Sequence, residues 1–206
     1  MLVSQTLIAF SLAAFFLTIT PGLDTAMILR TSSVEGGKKG FEAFLGISTG
    51  CFIWGAAVAF GLGAILAVSD VAYTLLKVCG AGYLAWLGIH LLLKPRQTFS
   101  AADPNLNAGR SSFLKGLLTN ILNPKIGIFY VSFLPQFIPA GHSPIIWTFL
   151  LVSIHVAIGL VWAITLILTT RYAAAILRKS SVVKWMDRVT GGIFLLFAIK
   201  LASSHR

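Results

Sequence analysis

Asp24 and Lys125 each lie inside a long run of apolar residues. A charge at the centre of a lipid-spanning helix costs about 2.5–3.5 kcal/mol on insertion scales, and less off-centre, where Asp24 stands. A carboxylate and an ammonium in such surroundings can neutralise each other, hold the two charged ends of a zwitterion, or carry a proton. A structural ion pair, or an Asp24 that merely caps a helix, are the plainer readings. Each charge has a proline beside it: Thr20-Pro21-Gly22 precedes Asp24, and Asn123-Pro124 precedes Lys125. Proline inside a helix removes one backbone hydrogen bond and clashes with the preceding turn. In lipid the freed carbonyl needs another partner, so such breaks persist where protein or a wet cavity supplies one. Thr18, Thr20, Asn120 and Asn123 can bond freed backbone or a ligand. His155, deep in a later apolar run, is either a proton relay or a packed histidine.

The surroundings of these residues are set by composition. Of 206 residues 57% are hydrophobic and only 11% charged, with a mean hydropathy of +0.88. Soluble globular chains carry about 25% charged residues, so a water-soluble enzyme and a disordered chain are excluded. About 20 apolar residues of helix cross a hydrocarbon core. Six stretches qualify, roughly Ser4–Leu29, Phe41–Val68, Val71–Leu93, Phe113–Leu134, Pro144–Thr170 and Met186–Ala202. The expected fold is therefore all-α, a polytopic membrane protein of six transmembrane helices in one domain over residues 1–206. The first stretch lacks a basic leader region and an obvious small-residue cleavage site, so it is expected to be a retained helix.

The net charge of +10 follows the loops. The first, third and fifth connectors, with the span residues beside them, hold 12 of the 16 basic residues. The second and fourth hold none. The positive-inside rule then places the odd connectors in the cytoplasm and both termini outside. Tyr73, Trp147, Tyr172 and Trp185 fall near span ends, where interfacial aromatics belong. The basic excess is read as topology signal, with no nucleic-acid partner.

Six spans divide into two sets of three, and an odd number per set gives the halves opposite direction. Repeat 1 covers about 1–94, a cytoplasmic connector about 95–112, and repeat 2 about 113–206. Gly82-Tyr83-Leu84-Ala85-Trp86-Leu87-Gly88 in span three aligns with Gly192 to Ala198 in span six, and Pro21 aligns with Pro124. Pro21 is nine residues before Arg30 and Pro124 nine after Lys115. At 1.5 Å per residue both sit about 14 Å from cytoplasmic charge, near the midplane. Paired breaks at one depth in inverted halves are the mark of a transporter substrate site; two structural kinks are the alternative.

Gly46, Gly50, Ala57 and Gly61 fall on one face of span two and are expected to admit a neighbouring helix closely. Cys51 and Cys79 show no disulfide framework or metal-ligand spacing and read as small packing residues. No phosphate-binding loop, H-E-x-x-H or G-x-S-x-G is present. The chain is not expected to be an enzyme, and no cofactor or metal is expected.

Three motifs resemble the lysine-exporter (LysE) superfamily, in its homoserine/threonine-resistance (RhtB) branch. They are Pro21-Gly22-Leu23-Asp24 followed by Gly36, Gly40, Gly46 and Gly50; Gly80-Ala81-Gly82-Tyr83-Leu84-Ala85-Trp86-Leu87-Gly88; and Phe113 to Asn120, then Asn123-Pro124-Lys125, Phe129 and Pro135-Gln136-Phe137. The resemblance spans about residues 1–200. The family usually has a second proline where this chain has Leu23. The resemblance implies export of amino acids such as homoserine, threonine and leucine across the bacterial inner membrane, driven by the proton-motive force. Its implied partners are a small amino acid, protons, the bilayer and a second copy of the chain as a homodimer.

The combined expectation is a secondary active exporter. Its substrate site comprises Thr20, Pro21, Gly22, Asp24, Asn120, Asn123, Pro124, Lys125 and His155. Asp24 is the expected ammonium partner or proton carrier, and Lys125 with a helix N-terminus is expected to face the carboxylate. A metal or other ion exporter would need clustered ligands in the membrane. A non-transporting assembly subunit would pack Pro21 and Pro124 dry.

Overall fold

The computed structural model describes residues 3–62, 70–95, 111–139, 141–177 and 179–203. All its regular elements are helical, and among the described residues there is no strand. In chain order they are α1 (Val3–Ile19), α2 (Leu23–Glu35), α3 (Gly37–Ala56), α4 (Asp70–Leu93), α5 (Ser112–Ile121), α6 (Pro124–Ile128), α7 (Pro144–Leu168), α8 (Thr170–Leu177) and α9 (Ser180–Ser203). A π-helical turn, Ala57–Leu62, extends α3. π-Helical and 3₁₀ turns carry α6 on to Phe137.

Among the described residues, two helices are long and apolar enough to cross a membrane, Gly37–Gly61 and Pro144–Leu168. Two bent pairs qualify when each is taken as one broken span: α1 with α2, bent by 51°, and α5 with Lys125–Phe137, bent by 55°. Those are the two expected proline breaks. Their chemistry differs from a proline lodged inside a helix. Pro124 is the first residue of α6, where the missing N–H is no loss. Asn123 caps it, its side-chain oxygen accepting from the Lys125 N–H at 3.1 Å. Gly22, extended at φ −153°, stands before α2.

Two glycine crossings tie early elements to late ones. A Cβ at Gly46 would overlap the Phe113 carbonyl and lie 2.7 Å from the Leu117 nitrogen, and one at Gly116 would overlap the Ala43 carbonyl. α3 and α5 therefore touch backbone to backbone. At the second crossing, α4 packs along α9, where a Cβ on Gly88 would lie 2.8 Å from the Gly191 oxygen. Gly50 admits the Asn120 side chain. Gly61 departs from the expected stripe: nothing among the described residues lies within 4 Å of a Cβ there. It sits in the π turn, whose wider coil rotates the face away from α3's packing line.

Trp147 departs too. It begins α7 as a span-end aromatic should, but it is 8% exposed and meets His142 edge-on at 5.2 Å. It is a packing residue, whereas Tyr172 and Trp185 stay exposed. The fifth connector is largely helical, as α8 and the first turns of α9, because Ala-rich Tyr172–Leu177 favours helix. The expectations on Arg96, Asp103-Pro104, Arg110 and Arg178 lie outside the described residues, as does the end of span two beyond residue 62.

Candidate functional site

The two breaks meet. Pro21 has no N–H, so the carbonyl four residues earlier, on Leu17, loses its helical partner. Lys125 Nζ donates to that Leu17 oxygen at 2.8 Å and to the Thr20 oxygen at 3.0 Å. The ammonium thus caps the C-terminal end of α1, where the helix dipole favours a cation. A residue of the second break satisfies the backbone opened by the first.

The converse contact runs from Asp24, in the first turn of α2. Asn120 Nδ2 donates to Asp24 Oδ2 at 3.0 Å, and Asn123 Nδ2 to Oδ1 at 3.4 Å. A carboxylate at a helix N-terminus is favoured by the dipole, and here both its oxygens also accept from the second break. Asn120 is fully buried. Its Nδ2 also lies 3.5 Å from Cys51 Sγ, and among the described residues its Oδ1 has no partner. Gly50 makes this possible: a Cβ there would stand 2.5 Å from Asn120 Oδ1.

Between these groups lies a cavity of about 60 Å³. Thr20, Gly22, Asp24, Asn123, Lys125 and His155 are among its lining residues. It is large enough for a few waters. His155, buried on α7, shares a hydrogen bond of 2.9 Å between Nδ1 and the Tyr130 hydroxyl. The Thr20 hydroxyl meets that of Thr190 on α9.

Of the nine expected site residues, Thr20, Gly22, Asp24, Asn123, Lys125 and His155 share this cavity. Asn120 supports it from behind, while Pro21 and Pro124 act through the backbone. Lys125 differs from expectation: its ammonium is engaged with carbonyls of α1. Sequence reasoning missed Tyr130 and Thr190, which bond to His155 and Thr20, and a buried acidic residue near Thr190. Asp187 is fully buried on α9, one turn before Thr190. An acidic residue at the second position of the sixth apolar stretch was the available signal. Tyr130 carries no comparable mark, because a tyrosine in an apolar run reads as packing. Among the described residues no group of three or more His, Cys, Asp or Glu could hold a metal ion.

Relatives share this chain nearly end to end. A membrane protein of Bacillus subtilis (strain 168), YrhP, is 31% identical over 97% of this chain and 100% of its own length. A leucine efflux protein of Enterobacter sp. (strain 638) is 31% identical over 93% of this chain and 92% of its own. A threonine efflux protein of Escherichia coli (strain K12) is 30% identical over 91% and 92%. No solved structure matches. The profile of the LysE type translocators matches residues 15–205. With broken, apolar helices and a cavity lined by Asp24 and Lys125 between the breaks, this membrane protein belongs to the LysE type translocator family.

Proposed function

We propose that this protein exports small neutral amino acids of the homoserine, threonine and leucine type across the bacterial inner membrane, coupled to the proton-motive force. The carrying observation is the meeting of two helix breaks around a cavity that holds both a carboxylate and an ammonium. A zwitterion needs both signs of charge within a few ångströms. Asp24 is the partner for its ammonium, or the group that exchanges it for a proton. Asn120 Oδ1, a buried acceptor without a partner among the described residues, belongs to the side chain that donates to it. The substrate carboxylate draws on Lys125 and the α6 N-terminus. The efflux names of the relatives support the same reading.

In this reading six spans form two inverted repeats with both termini outside, and the halves rock about the breaks. The cavity is small, so transport opens it. One charge moving across 100 mV is worth about 2.3 kcal/mol, enough for a substantial substrate gradient. A non-transporting subunit would fill this space with apolar side chains, and the Asp24 and Lys125 side chains lining the cavity argue against it.

The test is efflux from preloaded vesicles carrying purified protein, with and without an imposed pH gradient. Amino-acid efflux above protein-free vesicles, quickened by the gradient, is expected. Normally inserted Asp24→Asn and Lys125→Ala variants should lose it. Parental rates in both variants would remove the site assignment.

A further inference from the structure

Asn120 carries an unexplained cost. It is fully buried on α5, and among the described residues its Oδ1 has no hydrogen-bond partner. Buried polar atoms are nearly always paired, so an orphan calls for a reason. The other end of the same amide is in use: Nδ2 donates to Asp24 Oδ2 at 3.0 Å and lies 3.5 Å from Cys51 Sγ. The absent side chain of Gly50 leaves Oδ1 its space. Asn123, the second amide on Asp24, has no such freedom. Its Oδ1 accepts from the Lys125 N–H and caps α6, which fixes its Nδ2 toward Asp24 Oδ1. One amide is pinned at its oxygen and the other is not.

We propose that Asn120 is a positioning residue for proton coupling: its amide turns over, donating to Asp24 when the carboxylate is ionised and accepting from it when it is protonated. The inference rests on the exporter reading and deepens it. Amide oxygen and nitrogen are nearly alike in size, so a half-turn about the terminal bond exchanges them in place. Oδ1 then comes within reach of Asp24 Oδ2, accepts the carboxyl O–H and is no longer orphaned. Cys51 suits both states, since a thiol accepts weakly from an N–H and donates weakly to an oxygen. Lys125 keeps its bonds to the Leu17 and Thr20 oxygens throughout. The titratable groups that share the cavity with Asp24 are Cys51 of α3, Lys125 of α6 and His155 of α7, with Tyr130 bonded to His155. The charge of α5 itself, Lys115, is bonded to Glu35.

The cycle balances. On the outside a proton from water adds to Asp24 Oδ2 as the substrate ammonium leaves it. On the cytoplasmic side that proton returns to water as the next ammonium arrives. One neutral zwitterion moves out and one positive charge moves in.

The experiment uses the full chain in proteoliposomes with labelled leucine and threonine. It reads two rates, exchange without a pH gradient and efflux into an acid medium. Exchange by the parent should fall as the pH is lowered, because a protonated Asp24 cannot hold an ammonium. Asn120→Leu, close in shape but able neither to donate nor to accept, should lower the ratio of gradient-driven efflux to exchange by about 10-fold or more, the effect of losing a hydrogen bond to a charged group. Asn120→Ser, whose hydroxyl rotates to donate or accept, should recover part of that ratio. Infrared difference spectra of the parent between alkaline and acid pH should show a carboxylic-acid band absent from Asp24→Asn, together with an amide-carbonyl shift absent from Asn120→Ser. A carboxyl band without that amide shift, an inserted Leu variant with the parental ratio and pH profile, or a parent whose exchange ignores pH overturns the inference while leaving the exporter standing. The spectra decide it even where the Leu variant fails to insert. A parent that moves neither amino acid overturns both.

Discussion

At the residue scale, the most consequential contact is the Lys125 ammonium on the Leu17 and Thr20 carbonyls. Replacing it with methionine keeps the chain length and removes the donor. Each buried carbonyl left without a partner costs about 1–3 kcal/mol. Lys125→Met should therefore lower the melting temperature in detergent and abolish efflux, whereas a lysine used only to attract substrate would leave the melting temperature unmoved. Gly50 offers a second handle. A methyl there would collide with Asn120, and overpacking of this kind costs about 1–3 kcal/mol. Gly50→Ala should lose both stability and efflux. Adding Asn120→Gly relieves the collision and should restore the melting temperature, but the lost bond to Asp24 should keep efflux low. Charges, asparagines and prolines were all visible as anomalies in apolar runs. Which oxygen Lys125 would cap was not, because the pairing joins positions 108 residues apart.

At the scale of elements, glycines decide how closely helices approach. Gly46 and Gly116 face backbone, which cannot move aside as a side chain can. Gly46→Ala should sharply reduce folded protein, read by fluorescence-detected size exclusion. Gly61→Ala is the control: with no described neighbour within 4 Å, it should leave that yield unchanged. The period-3.6 pattern placed both glycines on one stripe, and the π turn that separates them has no residue signature comparable to proline. The broken helices were more legible. Proline, glycine and asparagine punctuate both apolar runs, and both runs bend at those points.

At the scale of the molecule, α2 and α5 are clasped at the end that the basic loops mark as cytoplasmic. Lys115 Nζ donates to Glu35 Oε1 at 3.0 Å, and Ser112 Oγ to Oε2 at 3.1 Å. Such a half-exposed pair is worth about 0.2–1 kcal/mol. Glu35→Gln should accordingly change stability little and the efflux rate measurably, if the clasp opens during transport; equal rates in variant and parent would assign it to assembly alone. The orientation itself is testable. Reporter domains that work only outside the cytoplasm should be active when fused to either terminus. A single cysteine beside Lys38 should react only with a reagent that crosses the membrane.

The sequence by itself determined the solvent, the helical class, the two interruptions and the presence of opposite charges beside them. These follow from local composition and spacing, since each residue's cost in lipid depends chiefly on its own chemistry. Only the tertiary structure decided that a lysine of one break seals the other, that Asp24 is held by two asparagines, and that Tyr130 is the buried partner of His155. Those outcomes depend on which helix faces meet, and many faces of an apolar helix look alike until packing chooses one.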